Sequence, residues 1–200
     1  MSPRAKTPRP PGDMRDHLLD AALRAFATSG YEATSIRRIA DEAKVASGLL
    51  YHYFPSKEAL LQALFEQNQA RVAAPFAHIA ALTDPRAQLG KLLRVSADIV
   101  RQNPDFWRVT YGVRFQPGIL AGLGEGVRAW NATLLAAFGG LLTAIGRPGP
   151  EVEAALLFAA LDGIFQHYVL DLEGYPLDAV VGSLIAHFGG IEPPPISEAT

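Results

Sequence analysis

The sequence predicts an all-α protein. In almost every segment apolar residues recur at intervals of three and four, which is the spacing of a helix with one buried face. No segment alternates apolar and polar residues for long enough to predict a strand. Asp84 and Asn103 each precede a proline, so both side chains are expected to cap the helices that begin there, and glycine stands where helices would end.

The first two helices are short enough to belong to a small N-terminal domain. The first is predicted over residues 14–29, with Asp13 as its N-cap and Gly30 closing its C-terminus. The second is predicted to last about two turns after a cap at either Thr34 or Ser35. A tight turn then leads to a third helix.

The third helix is predicted to end at Tyr53. The proline and serine at 55–56 interrupt the chain, and Ser56 can cap a fourth helix that begins at Lys57. That helix should continue to about Ala74, because Pro75 must end or kink it.

Further helices are predicted at residues 85–102, 104–115, 119–145, 151–172 and 176–189. Helix 151–172 is apolar on more than one side, so we expect a second copy of the chain to cover one of its faces. Small residues there permit close approach, and the last helix adds an apolar stripe. The residues predicted at this dimer interface are Ala155, Ala159, Gly163, Val181, Leu184 and Phe188.

Composition excludes several classes of function. The 200 residues include no cysteine, which rules out disulfides, thiolate metal sites and thiol nucleophiles and favours a reducing, cytoplasmic location. The sequence has no uninterrupted apolar run that is long enough to predict a membrane span. Histidines show no paired spacing, so neither a metal nor another cofactor is predicted. Residues 1–13 are predicted to form a flexible basic arm and residues 192–200 a disordered tail.

Residues 34–64 carry the most informative pattern, TSIRRIADEAKVASGLLYHYFPSKEALLQAL. Two short helices joined by a tight turn, the second of which carries polar-tipped aromatic side chains, describe a helix-turn-helix. The second helix of this motif enters the DNA major groove. Over about residues 14–64, and most specifically at YHYFPSKEAL, the chain resembles the TetR-like (tetracycline-repressor-like) transcriptional regulators. The rest of the chain resembles them only in plan.

The resemblance implies a helix-turn-helix domain at 14–56 and a helical ligand-binding and dimerisation domain at 57–191. It also implies a homodimer that binds a palindromic operator, most simply as a repressor, and that a small, largely apolar effector releases. Carried over position by position, the residues expected to contact DNA are Thr34, Arg37, Ser47, Gly48, Leu49, Tyr51, His52 and Lys57.

Simple chemistry agrees with three of those roles. Lys57 in the first turn of a helix can bind phosphate, Arg37 can contact guanine, and Leu49 can pack on a thymine methyl group. Two residues depart from the family pattern: Lys44 stands where glycine is usual, and Ala46 where a serine or threonine commonly caps the recognition helix. The register of the third helix is therefore open.

Aromatic residues concentrate in the second half of the chain and suggest an apolar pocket with a few polar groups. The residues expected to bind a ligand are Trp107, Tyr111, Trp130, Phe165 and His167. Two other functions are considered: a helical ligand-binding dimer without DNA binding, and a helical enzyme that uses Ser96, Asp98 or His167. No nucleophile elbow or cofactor fingerprint supports an enzyme.

Overall fold

The computed structural model describes residues 11–73, 76 and 78–190. Within those ranges the chain forms helices and no strand, which confirms the all-α prediction. The nine α-helices of this described part are α1 Pro11–Ser29, α2 Ile36–Ala43, α3 Ser47–Tyr53, α4 Lys57–Ala73, α5 Pro85–Gln102, α6 Pro104–Val113, α7 Pro117–Ile145, α8 Pro150–Leu170 and α9 Leu177–Gly189, with a short 3₁₀ helix at Ile79–Ala81.

The chain divides into two compact units, Met1–Asn68 and Gln69–Thr200. The division falls inside α4, later than the domain boundary predicted after residue 56. The predictions for Pro75, for most of the basic arm and for the tail at 192–200 lie outside the described residues.

The first unit is organised around α1. The apolar face of α1 is fully or almost fully buried, and its side chains have the three- and four-residue spacing read from the sequence. The inner residues of α2, α3 and α4 are buried as well. Gly30 has a φ of +79°, and its N–H donates to Phe26 O at 2.9 Å, so it closes α1 as predicted. The largest fully buried side chains of this unit are Phe26, Leu18, Leu19, Ile39, Leu50, Leu60, Leu61 and Leu64.

The start of α1 differs from the prediction. The helix begins at Pro11, so Asp13 lies inside the first turn and is not the N-cap. Proline is well suited to a first helical turn because its missing N–H would have no partner there. A carboxylate in the first turn still interacts favourably with the helix dipole.

The second unit has its own core, formed mainly by α5, α7, α8 and α9 around Leu89, Leu93, Phe138, Leu142 and Leu157. As predicted, α5 begins after Asp84, whose carboxylate accepts hydrogen bonds from the N–H groups of Arg86 at 3.0 Å and Ala87 at 3.2 Å. The equivalent prediction for Asn103 is wrong in detail. Its side chain makes no capping bond to α6 and instead donates to Ile99 O at 3.3 Å.

Helix α8 passes through this core. It is the one helix in the described ranges that is long and apolar enough to cross a membrane by length and composition alone. Residues along its inner side, including Leu157, Leu161 and Ile164, are buried among the other helices of the unit. A helix in the core of a globular domain has the same apolar composition, so this packing is sufficient to explain why α8 is apolar.

Candidate nucleic-acid interface and ligand site

The turn before α3 determines where that helix begins. Lys44 adopts the left-handed conformation, with φ +57° and ψ +44°, and is the one non-glycine residue with positive φ in the described part of the chain. Its N–H donates to Asp41 O at 3.1 Å, and the next N–H, that of Val45, donates to Ala40 O at 3.0 Å. The chain thus makes the turn that glycine usually makes, at a cost in backbone strain.

The register of α3 follows from this turn. Ala46 is the N-cap in an extended conformation and makes no side-chain capping bond, and Ser47 is the first helical residue. Ser47 therefore does not replace Ala46 as the cap. The helix starts where the family pattern places it, although it lacks the hydrogen bond that a serine or threonine cap would supply.

One face of α3 is open to solvent. Gly48, Leu49, Tyr51 and His52 are exposed, with 52% of the Tyr51 surface accessible. Leu50, between them, is fully buried and anchors the helix to the unit. An exposed patch of two rings with polar tips and one aliphatic side chain is suited to a groove that offers both hydrogen-bonding groups and methyl groups.

The neighbouring helix α2 contributes cations. Arg37 and Arg38 are both exposed, and neither guanidinium has a hydrogen-bond or ion-pair partner in the described part of the chain. Ser35 caps this helix by accepting from the Arg38 N–H at 3.2 Å, which settles the choice between Thr34 and Ser35. Two unpaired guanidinium groups on a helix that packs against α3 supply positive charge in the same unit.

Thr34 is not placed as expected. Its side chain is buried, with 1% of its surface exposed, and its hydroxyl lies 2.7 Å from Gly30 O and 3.2 Å from Ala25 O. The hydroxyl therefore satisfies carbonyl groups at the end of α1. This position speaks against a direct contact between the Thr34 side chain and DNA.

Lys57, at the start of α4, has an ordered ammonium group. Its Nζ lies 3.0 Å from Tyr31 O, 3.5 Å from Glu32 O and 4.2 Å from the centre of the Tyr31 ring. An ammonium has three N–H donors, so two carbonyl contacts leave one donor for another partner. Sequence reasoning placed Lys57 in the interface but missed Tyr31, whose only signal is its position in the GYEATSI segment at 30–36.

Tyr31 connects this lysine to the next residue of α4. Its hydroxyl donates to the Glu58 carboxylate at 3.1 Å. Burial, together with the negative charge of Glu58, raises the pKa of Tyr31 above its ordinary value. Hydrogen bonds from its own backbone N–H and from the Ser56 hydroxyl lower the pKa of Glu58. These contacts favour the neutral form of Tyr31 and the carboxylate form of Glu58.

In the second unit, one face of α6 and the residues after it carry polar groups that meet α8. The rings of Trp107 and Tyr111 lie 6.2 Å apart, and Tyr111 donates to Asp162 O at 3.4 Å. The two terminal nitrogens of Arg114 lie 2.5 and 2.8 Å from the two Asp162 carboxylate oxygens, which is a bidentate ion pair. Burial, followed by the Asp162 charge, raises the pKa of Tyr111.

Two polar atoms near this face have no partner. Trp107 Nε1 and Gln116 Oε1 are buried and make no hydrogen bond within the described part of the chain. Buried polar atoms almost always have a partner in folded proteins, so each of them needs an explanation. Trp107 was expected to line a ligand site, and its free donor is consistent with that expectation.

The other predicted ligand residues are distributed differently. Phe165 is buried in the core of the second unit, and Trp130 is half-buried on α7. His167 is exposed, and its ring stacks on Tyr175 in the α8–α9 connection, with ring centres 6.1 Å apart and planes within 13°. His167 therefore belongs to the surface at the end of α8, which speaks against its placement in an enclosed pocket.

An apolar stripe on the outer side of α8 is open to solvent. Val152, Leu156 and Leu170 are 67%, 56% and 77% exposed, and Ala155 and Ala159 are exposed on the same helix. The α9 residues that were predicted at the dimer interface do not form such an exposed stripe. Val181 and Phe188 are buried in the protomer's own core, and Leu184 packs partly against it, so Val181 and Phe188 are unavailable to a partner.

In the ranges that the structure describes, no group of three or more His, Asp or Glu side chains could hold a metal ion.

Two family models match the chain. The model described as bacterial regulatory proteins of the tetR family matches residues 18–64, and the one described as the C-terminal domain of tetracyclin repressor-like proteins matches residues 92–188. The first match covers α3 and the start of α4. The second covers α6, α8 and most of α9.

Two protein relatives match part of the chain. YuxN of Bacillus subtilis, an uncharacterised HTH-type transcriptional regulator, is 36% identical over 90 residues, or 44% of this chain and 31% of the relative. The HTH-type transcriptional repressor KstR2 of Mycolicibacterium smegmatis is 48% identical over 56 residues, or 28% of this chain and 27% of the relative. The matches thus span less than a third of each relative's length.

A solved structure matches the chain over most of its length. The transcriptional regulator FadR from Bacillus subtilis, in complex with stearoyl-CoA, superposes with a TM-score of 0.73 at 21% identity, covering 86% of this chain and 96% of that chain. At this level of identity the likeness establishes the fold alone.

Proposed function

We propose that this chain, which belongs to the TetR family of bacterial regulatory proteins, regulates transcription by binding a palindromic operator as a homodimer. We further propose that a small, largely apolar effector releases the protein from DNA. Repression is the simplest form of this activity. Members of the family are regulators rather than enzymes, and we expect the protein to act in the cytoplasm, where the chromosome lies. The observation that carries the proposal is the open face of α3.

The DNA contacts that we propose begin on that face. Tyr51 and His52 are exposed and can bond to phosphates or base edges, while the exposed Leu49 can pack against a thymine methyl group. Ser47 and Gly48, in the first turn, let the helix approach the bases closely. Thr34 is left out of this set because its hydroxyl is occupied inside the unit.

Cations around α3 would bind the DNA backbone. Arg37 is exposed and pairs with no carboxylate of the described residues, so its guanidinium can contact guanine or phosphate. Lys57 is held on two carbonyl oxygens at the start of α4, with its ammonium group already in place. A cation that is already ordered loses less conformational entropy when it binds phosphate than a flexible surface lysine does.

The dimer that we propose forms through α8. Val152, Leu156 and Ala159 lie on one exposed side of that helix, and the small side chains of Ala155 and Gly163 would let a second copy approach. A two-fold axis through α8 would bring the same face from each chain together. Leu184 of α9 can add to the edge of such an interface, whereas Val181 and Phe188 stay in the protomer's core.

The effector would act on the second unit. FadR of Bacillus subtilis binds stearoyl-CoA in the same fold, and the long acyl chain of that ligand supports an effector with a large apolar part here. Helix α4 begins in the first unit, and its last residues belong to the second, so it is the covalent path between them. An effector that favours one position of α4 would change the separation of two recognition helices, which must be about one DNA turn, roughly 34–36 Å, or a multiple of it.

The test is binding of the purified protein to DNA fragments from around its own gene, in competition with unrelated DNA. We expect tight, selective binding by the wild type, loss of selectivity in Tyr51→Ala, and no change in Phe115→Ala, which removes an exposed ring from the other unit. Selective binding that survives Tyr51→Ala would contradict the role of α3. Sequence-blind binding by the wild type to every fragment would contradict the operator proposal for this DNA.

A further inference from the structure

The indole N–H of Trp107 is a buried donor without an acceptor. Among the residues that the structure describes, Trp107 Nε1 has no hydrogen-bond partner, although its ring packs beside Phe106 and Tyr111 and against the core of the second unit. The indole nitrogen can donate but cannot accept, so only an acceptor can satisfy it. A lone buried donor is costly, and its persistence points to an acceptor that arrives from outside the chain.

The nearest polar groups on this face are already engaged with one another. The Tyr111 hydroxyl donates to Asp162 O, and both Asp162 carboxylate oxygens accept from Arg114. The Arg114 guanidinium also lies 5.3 Å from the centre of the Tyr111 ring. These groups bond to one another and not to Trp107. Gln116 Oε1 is the other buried side-chain atom without a partner among the described residues, and it does not accept from Trp107 either.

The arginines of α6, of the residue after it and of the C-terminal end of α5 are paired with carboxylates. Arg114 is paired with Asp162, Arg108 with Asp105 at 2.9 Å, and Arg101 with Asp98 at 2.6 Å and with Asp178. An anionic ligand would need a cation without a competing carboxylate, and this end of α5 and the whole of α6 provide none among their described side chains. A neutral ligand meets no such obstacle.

We propose that the effector is an uncharged, mainly apolar molecule with a carbonyl or similar hydrogen-bond acceptor, and that this acceptor binds Trp107 Nε1. The inference rests on the proposed ligand-responsive function and specifies its ligand. Trp107 supplies the directional contact, Tyr111 supplies an apolar wall, and the Arg114–Asp162 pair excludes carboxylates by withholding its guanidinium.

The experiment titrates the protein with straight-chain methyl ketones, the carboxylates of equal chain length and the corresponding alkanes. The readout is the indole N–H region of a proton–nitrogen correlation spectrum, which contains two signals because the chain has two tryptophans. Trp107→Phe assigns its signal and removes the donor while keeping an aromatic ring. Asp162→Asn frees Arg114 from its charged partner.

We expect ketones to move the Trp107 proton downfield and to bind more tightly than alkanes or carboxylates. Trp107→Phe should weaken ketone binding about two- to tenfold, which is the usual effect of one neutral hydrogen bond, and should leave alkane binding unchanged. In Asp162→Asn, carboxylates should gain affinity while ketones keep theirs. Folding of both variants is checked by retained binding to operator DNA.

Failure of this inference can be separated from failure of the proposed function. Preferential binding of carboxylates by the wild type, a Trp107 signal that ignores the ketones, or absence of binding across the series overturns the neutral-ligand inference. Ketones that bind through Trp107 but leave operator affinity unchanged keep the inference about the site and contradict the proposed ligand response.

Discussion

Replacing Lys44 with glycine should stabilise the turn that sets the recognition helix. Lys44 has φ +57° and ψ +44°, a conformation that costs an L-residue about 1–2 kcal/mol and costs glycine almost nothing. Glycine is also more flexible in the unfolded chain, which removes about 0.5–1 kcal/mol of the gain. The net increase in the free energy of local unfolding is therefore expected to be roughly 0.5–1 kcal/mol.

The assay must report on this turn rather than on the whole chain, because the protein has two compact units. Hydrogen–deuterium exchange of the α2 and α3 amides meets this need. The expected gain corresponds to exchange about two- to fivefold slower at these amides in Lys44→Gly, with exchange in α8 unchanged. Selective DNA binding should be retained, since the side chain of Lys44 is not proposed to contact DNA.

The matched control is Lys44→Ala, which removes the same side chain but keeps the strained backbone. It should leave exchange in α2 and α3 close to that of the wild type. Faster exchange in Lys44→Gly, or equal protection in the glycine and alanine variants, would refute the argument that strain at this residue limits the stability of the turn.

Three further predictions concern α4 and α8. Lys57→Met should weaken operator binding, measured by fluorescence anisotropy. The slope of log affinity against log salt concentration should become shallower by about 0.9 for each phosphate that the variant no longer neutralises. An unchanged slope would mean that the lysine only holds Tyr31. Leu156→Glu should shift the protein from dimer to monomer in analytical ultracentrifugation, while the exposed, polar control Ser183→Glu should not. The pKa of Glu58 is lowered in the folded protein, so the ionised carboxylate stabilises the fold. This contribution is complete above the ordinary glutamate pKa of 4.5 and is lost as the pH falls through the lower folded value. The free energy of urea unfolding of Glu58→Gln should therefore depend less on pH below about 4.5 than that of the wild type.

The positions of the helices could be predicted because their signals are local. Spacing of apolar residues, Asp84 before proline, Ser56 before α4 and Gly30 after α1 each act within a few residues of the chain. The same reasoning failed at Asp13, since a proline at 11 was able to begin the helix earlier. Asn103 failed because its side chain had a competing acceptor one turn back.

The roles of individual side chains depended on contacts between distant segments. A polar residue before a helix, such as Thr34, can face solvent or turn inward, and only the nearby end of α1 shows that it turns inward. An apolar stripe such as Val181 and Phe188 likewise predicts burial without saying whether the partner is this chain or a second copy. Pairing of Lys57 with Tyr31 across 26 positions had no local signal at all.

The central claim is that the exposed face of α3 recognises a DNA sequence in a two-fold symmetric complex. Selection of binding sites from random double-stranded DNA tests it most directly, because it requires no knowledge of the regulated gene. We predict that the wild type enriches a palindrome whose half-sites are about one DNA turn apart, and that Tyr51→Ala does not enrich it. Repeated selection that yields no shared sequence with the wild-type protein would contradict the account.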